Sequence, residues 1–105
     1  MALLKGTLDT LVLKALSFGP RHGFEIIRWI EDGSGRNYEV ESAALLQALH
    51  RLEARRLVSA AWDTTENNRR ARYYTLTSQG RIALRDQTTE LRHSVAALSA
   101  LLSAR

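Results

Sequence analysis

The chain has no cysteine in its 105 residues. This absence excludes a disulfide framework, a thiolate nucleophile and cysteine-ligated zinc, and it fits a reducing cytosol. No apolar run approaches the length needed to span a bilayer. The N-terminus is apolar, but Lys5, Asp9 and Lys14 interrupt it and no cleavage-site pattern follows, so a signal peptide is not expected. There is no internal repeat, low-complexity segment or dividing linker. Catalytic inventories are missing too. His22, His50 and His93 are far apart without metal-ligand spacing, and Gly19, Gly23, Gly33 and Gly35 match no phosphate-binding loop. Glu31 with Asp32 and Glu39 with Glu41 read as helix-end and surface charge. The expectation is a soluble, cytoplasmic protein that is not an enzyme and needs no metal or cofactor.

What is present amounts to one domain, with 45% hydrophobic residues. A core of that size is modest, so a partner subunit is a natural source of further burial. Fifteen Lys and Arg stand against eleven Asp and Glu, a formal charge of +4. Four basic and four acidic residues balance before position 36, so the excess lies after it, with a cluster at Arg69, Arg70 and Arg72. A small total excess does not by itself imply nucleic acid; its clustering is more informative.

Apolar spacing at Leu4, Leu8, Leu11, Val12, Ala15 and Leu16 predicts a first helix over 3–18, ended by Gly19 and Pro20. A second helix is expected from near His22 to Glu31 or Asp32, burying Phe24, Ile27 and Ile30 with Ile26 or Trp29 at the margin. Gly33, Ser34 and Gly35 close it. Tyr38 to Val40 reads as a short extended stretch. The third helix, from an N-cap at Ser42 to about Arg56, buries Leu45, Leu49 and Leu52, with Leu46 and Ala48 widening the stripe. Its other face offers Gln47, His50, Arg51 and Arg55.

From Leu57 to Trp62 the residues alternate as in a strand, with Val58, Ala60 and Trp62 on one side. Asp63 to Asn68 is rich in turn formers, and Arg72 to Leu76 returns. A helix with an outward Gln and Arg face followed by a basic hairpin is the layout of a winged helix-turn-helix. Thr77 or Ser78 caps a fourth helix carrying Leu84, Leu91, Val95, Leu98 and Leu102 at heptad-like steps, with Thr88 in the gap. One helix alone leaves such a seam in water, so it either lies back on its own domain or, as the favoured expectation, packs on a partner subunit. The fold class is mainly α with a small β-hairpin, divided into a winged helix-turn-helix over 1–76 and a dimerisation helix over 77–105.

These residues resemble PadR-family transcriptional regulators. The TLDTLVLKAL of Thr7 to Leu16 is similar to the family's opening, and the likeness continues through GPRHGFEI (19–26), ALHRLEARRLV (48–58) and NNRRARYYTLTSQG (67–80). The resemblance implies a cytosolic homodimer whose C-terminal helices build much of the dimer. It also implies repression of transcription, with release by a phenolic or hydrophobic effector in some members. In one place the chain departs. The family's third helix usually begins GSLYPALHRLE, with a serine and tyrosine on the DNA backbone, and here Ala43, Ala44, Leu45, Leu46 and Gln47 stand instead.

On chemistry alone, Gln47 suits adenine and Arg51 suits guanine, which makes them candidate base readers, with His50 beside them for a phosphate. Arg69 and Arg70 sit where a wing tip reaches the minor groove, whose negative potential attracts guanidinium groups. Arg72 turns to the phosphate backbone or pairs with Glu66. Tyr73 and Tyr74 point to opposite faces of their strand, so one belongs to the core and the other is free to bond a phosphate; Tyr73 joins the candidate DNA set. Core packing is expected for Trp62, while Trp29 is open between core and an effector pocket. The competing reading is a winged-helix adaptor that binds a protein rather than duplex.

Overall fold

The computed structural model describes residues 6–105. Seven elements follow one another: α1 (Thr7–Leu16), β1 (Arg21–His22), α2 (Gly23–Gly33), α3 (Ser42–Ala54), β2 (Val58–Thr64), β3 (Arg70–Leu76) and α4 (Ser78–Leu102). Leu4, expected in the α1 stripe, lies outside the described residues. The three strands form an antiparallel sheet in the order β1-β3-β2. This is a winged helix with one strand more than the hairpin expected.

α1 is the central pillar, touching α2, α3, β3 and α4. Contact on several sides buries Val12, Leu13, Ala15 and Leu16 almost completely, Leu13 included although it lies off the expected stripe. Each large aliphatic side chain so buried contributes about 2 kcal/mol of transfer free energy. Gly19 turns the chain at φ +137°, in a region of backbone space that a side chain rarely enters. Arg21 then donates from Nε to the Ala15 carbonyl at 3.0 Å, anchoring β1 to the end of α1.

α2 begins at a reciprocal cap. His22 Nδ1 accepts from the Glu25 amide at 3.4 Å, and Glu25 Oε1 accepts from the His22 amide at 3.1 Å. With its start fixed there, the helix turns Ile26 and Ile30 into the core and leaves Ile27 and Trp29 half-buried. Phe24, expected in the core, is 64% exposed because the first turn of α2 stands at the rim. The 38–40 stretch pairs with no strand; the Val40 amide donates to Glu31 Oε2 at 3.0 Å instead. Glu41, not Ser42, is the N-cap of α3, and its side chain makes no capping bond.

The hairpin register runs from Val58 opposite Leu76 to Thr64 opposite Arg70. Its base lies on the core through Val58, Tyr74 and Leu76. Its distal half extends past the core, which is why Trp62, assigned to the core by alternation, is 61% exposed. Thr77 caps α4 by accepting from the Gly80 amide at 3.0 Å, and its hydroxyl also lies 2.8 Å from the Arg56 carbonyl. α4 leans on α1 through Thr10, which donates to Gln87 at 2.9 Å. Beyond Leu91 every residue of α4 is exposed.

Candidate nucleic-acid interface

Helical geometry sorts the α3 side chains into four directions. Leu45, Ala48, Leu49 and Leu52 point into the core. Turning about 100° per residue then sends Ala43, Gln47, His50 and Ala54 straight outward, Leu46 and Glu53 toward the wing, and Arg51 and Arg55 toward α1 and α4. Leu46, expected to widen the buried stripe, is 50% exposed. Gln47 and His50 are exposed as expected.

Arg51 is already engaged. Its Nη2 and Nε donate to Asp9 Oδ1 and Oδ2 of α1 at 2.7 and 3.2 Å, a two-pronged geometry that holds its pKa above the usual arginine value. The guanidinium expected to face guanine therefore stands on the flank of α3. Arg72 is engaged likewise. It bonds Glu53 of α3 at 2.8 Å and lies over the Tyr74 ring at 5.7 Å, so its partner is Glu53 and not the expected Glu66. That pair locks the wing to the end of α3.

At the wing tip Arg69 and Arg70 are exposed, and Arg70 stacks on Trp62 with its guanidinium 5.4 Å from the ring centre. A tight turn presents them. The Thr65 amide donates to the Arg69 carbonyl at 2.7 Å, and Asn68 takes φ +59°. Of the tyrosines, Tyr74 is the core member at 4% exposure. Tyr73 is half-buried on the opposite face, edge-on to His22 at 5.3 Å. Burial, followed by Glu25, Asp63 and Glu66, raises its pKa, so its hydroxyl keeps its proton.

Between the starts of α2 and α3 and strand β3 runs an open, mainly apolar groove of about 410 Å³, bordered by Phe24, Ile27, Leu46 and Ala71. Arg28 lies over the Phe24 ring at 5.8 Å and adds a cation to the same side of the molecule. Among the described residues no group of three or more His, Asp or Glu side chains is placed to hold a metal ion. None of their helices is long and apolar enough to cross a membrane.

The model of the transcriptional regulator PadR-like family matches residues 12–86. The chain belongs to that family. Members are transcription regulators and not enzymes. A PadR family transcriptional regulator from Eggerthella lenta is similar at 26% identity with a TM-score of 0.79, over 96% of this chain and 86% of that one. A transcriptional regulator from Clostridium thermocellum shares the fold with a TM-score of 0.82 at 24% identity, covering 91% and 93% of the two chains. Bacillus subtilis PadR, in a complex with operator DNA, aligns with a TM-score of 0.68 at 20% identity, over 77% of this chain and 46% of that one.

In this PadR-family chain the surface around α3 and the wing brings together Gln47, His50, Arg69, Arg70 and the Tyr73 strand. Phe24 and Arg28, which line a groove with Arg69, Arg70 and Tyr73, and Trp62, on the face of the wing opposite Tyr73, were not among the sequence candidates. Phe24 and Trp62 are apolar residues at helix and strand positions that usually point inward. Arg28 had one local signal, its place one turn after Phe24 on α2.

Proposed function

We propose that the chain is a homodimeric, sequence-specific DNA-binding repressor that acts on an inverted repeat. The observation that carries this reading is the joint exposure of Gln47 and His50 on α3 with Arg69 and Arg70 on the adjoining wing. The Bacillus subtilis PadR complex with operator DNA supports it by likeness of fold. In this reading α3 enters the major groove, Gln47 bonds an adenine and His50 a phosphate, while Arg69 and Arg70 follow the minor groove. Tyr73 donates to a phosphate. Arg51 and Arg72 position α3 and the wing, and reach DNA only by exchanging Asp9 and Glu53 for it. Residues 1–76 form the reading unit, and residues 77–105 dimerise through Leu84, Leu91, Val95, Leu98 and Leu102. A groove of about 610 Å³ between α1 and α4, bordered by Leu11, Leu84 and Leu91, supports control by a small hydrophobic or phenolic effector. Action in the cytoplasm follows from this role.

Selection from random duplexes by the purified protein tests the proposal. An inverted repeat with half-site centres about one turn apart, roughly 34 Å, is expected. The competing reading, a protein-binding adaptor, is favoured by the carbon-only side chains from Ala43 to Leu46. Recovery of no enriched sequence together with no duplex binding at low salt would select it.

A further inference from the structure

On its outward and wing-facing side α3 carries three apolar side chains beside Gln47, His50 and the Glu53 that Arg72 holds. Ala43, Leu46 and Ala54 surround Gln47 and His50, and Leu46 is 50% exposed in its first turn. Across the apolar groove, 64% exposed Phe24 forms the opposite lip, with Ile27, Leu45 and Leu49 beneath. Leu46 and Phe24 thus give the groove two exposed apolar lips beside the reading face of α3. Against a major-groove edge, carbon has a single complementary feature. Guanine, adenine and cytosine present donors and acceptors that carbon leaves unpaired, while thymine presents the C5 methyl group. The surroundings favour a nucleic acid over a protein helix as the occupant. Gln47 is the next residue along α3, and Arg28 lies over Phe24.

We propose that Leu46, with Phe24 behind it, reads a thymine C5 methyl group next to the adenine that Gln47 bonds, so that each half-site centres on adjacent A·T pairs. The proposal rests on the duplex-binding reading above and adds its specificity. It accounts for the four carbon-only side chains that follow Ser42 in α3, Ala43 to Leu46, since the exposed ones touch a base edge and no phosphate. Burying one methyl group is worth about fourfold in affinity.

The test uses the full chain and the inverted-repeat duplex enriched from a random pool, with each thymine of the half-site replaced singly by deoxyuridine. The wild type should lose about fourfold or more at one position and little elsewhere. Leu46→Asn should bind the thymine and deoxyuridine duplexes equally, while Leu46→Met should restore the preference. Because position 46 is at the surface, thermal melts of both variants should match the wild type. Duplex binding with no deoxyuridine penalty at any position would overturn the methyl-reading proposal alone. A penalty that survives Leu46→Asn would do the same, as would tight capture of a small apolar dye in this groove that leaves duplex binding unchanged. No duplex binding at low salt would overturn the regulator reading itself, and this proposal with it.

Discussion

Arg51 grips Asp9 with two hydrogen bonds of 2.7 and 3.2 Å, and so ties α3 to α1, the helix on which α4 leans. The pair is unequal, since the Asp9 side chain is 14% exposed and that of Arg51 54%. Removing the arginine leaves a largely buried carboxylate unpaired, whereas removing the acid leaves a cation that water can solvate. Arg51→Ala should therefore destabilise the fold more than Asp9→Ala, by about 1 kcal/mol, as read from urea unfolding. Asp9→Ala should also tighten duplex binding, because it removes a negative charge and frees the fork. Equal destabilisation by the two variants would contradict the argument from unequal burial, and no destabilisation by either would show that the pair holds nothing in place.

Tyr73 tests the phosphate side of the interface. Burial and the nearby Glu25, Asp63 and Glu66 raise its pKa, so its hydroxyl stays a donor throughout the neutral range and above it. Tyr73→Phe should weaken duplex binding about threefold, the effect of one ordinary hydrogen bond. The ratio of wild type to variant should be the same at pH 7 and pH 9 in anisotropy titrations. A ratio that falls to one at pH 9 would mean that the hydroxyl ionises within this range.

Gly80 fixes where α4 leaves the winged helix. A Cβ there would overlap the Leu57 carbonyl oxygen and approach the Leu76 side chain at 2.7 Å. The Thr77 amide donates to that same carbonyl at 3.1 Å. Gly80→Ala should cost about 2 kcal/mol and lower the melting temperature. A variant as stable as the wild type would show that α4 shifts freely against the end of α3.

The C-terminal seam is the next test. Val95 and Leu98 are 55% and 46% exposed and lie outside the core, so charging them disturbs no buried packing within the protomer. Val95→Glu with Leu98→Glu should change the sedimenting mass from twice 11.8 kDa to 11.8 kDa while the helical signal of each reading unit persists. Retention of the dimer would place its interface elsewhere.

Much of this fold was legible because periodicity is a local property. Leu45, Leu49 and Leu52 mark α3 at helical steps, and all three are buried. Alternation likewise put Tyr73 and Tyr74 on opposite faces. It carried no information about which face met the core, and that depended on where β3 packs. Phe24 and Trp62 were misplaced for a related reason. Their spacing matched the buried positions, but their elements run past the edge of the core, where apolar character no longer implies burial. Arg51 and Asp9 are 42 positions apart, and Arg72 is 19 from Glu53, so these pairs exist only through the tertiary packing of α1, α3 and β3. The two-residue strand β1 was too short to leave a periodic signal, and His22 was legible only as the start of α2.

If α3 and a basic wing together hold duplex DNA, binding must release counterions and weaken with salt. Anisotropy titrations of the enriched inverted repeat would be run across salt concentrations for the wild type and for Arg69→Ala with Arg70→Ala. Log affinity of the wild type should fall steeply with log salt. The variant should bind more weakly with a slope shallower by about 3 to 4, four wing cations being lost per dimer. Unchanged affinity and slope in the variant, or a wild type whose binding ignores salt, would show that the wing makes no phosphate contacts.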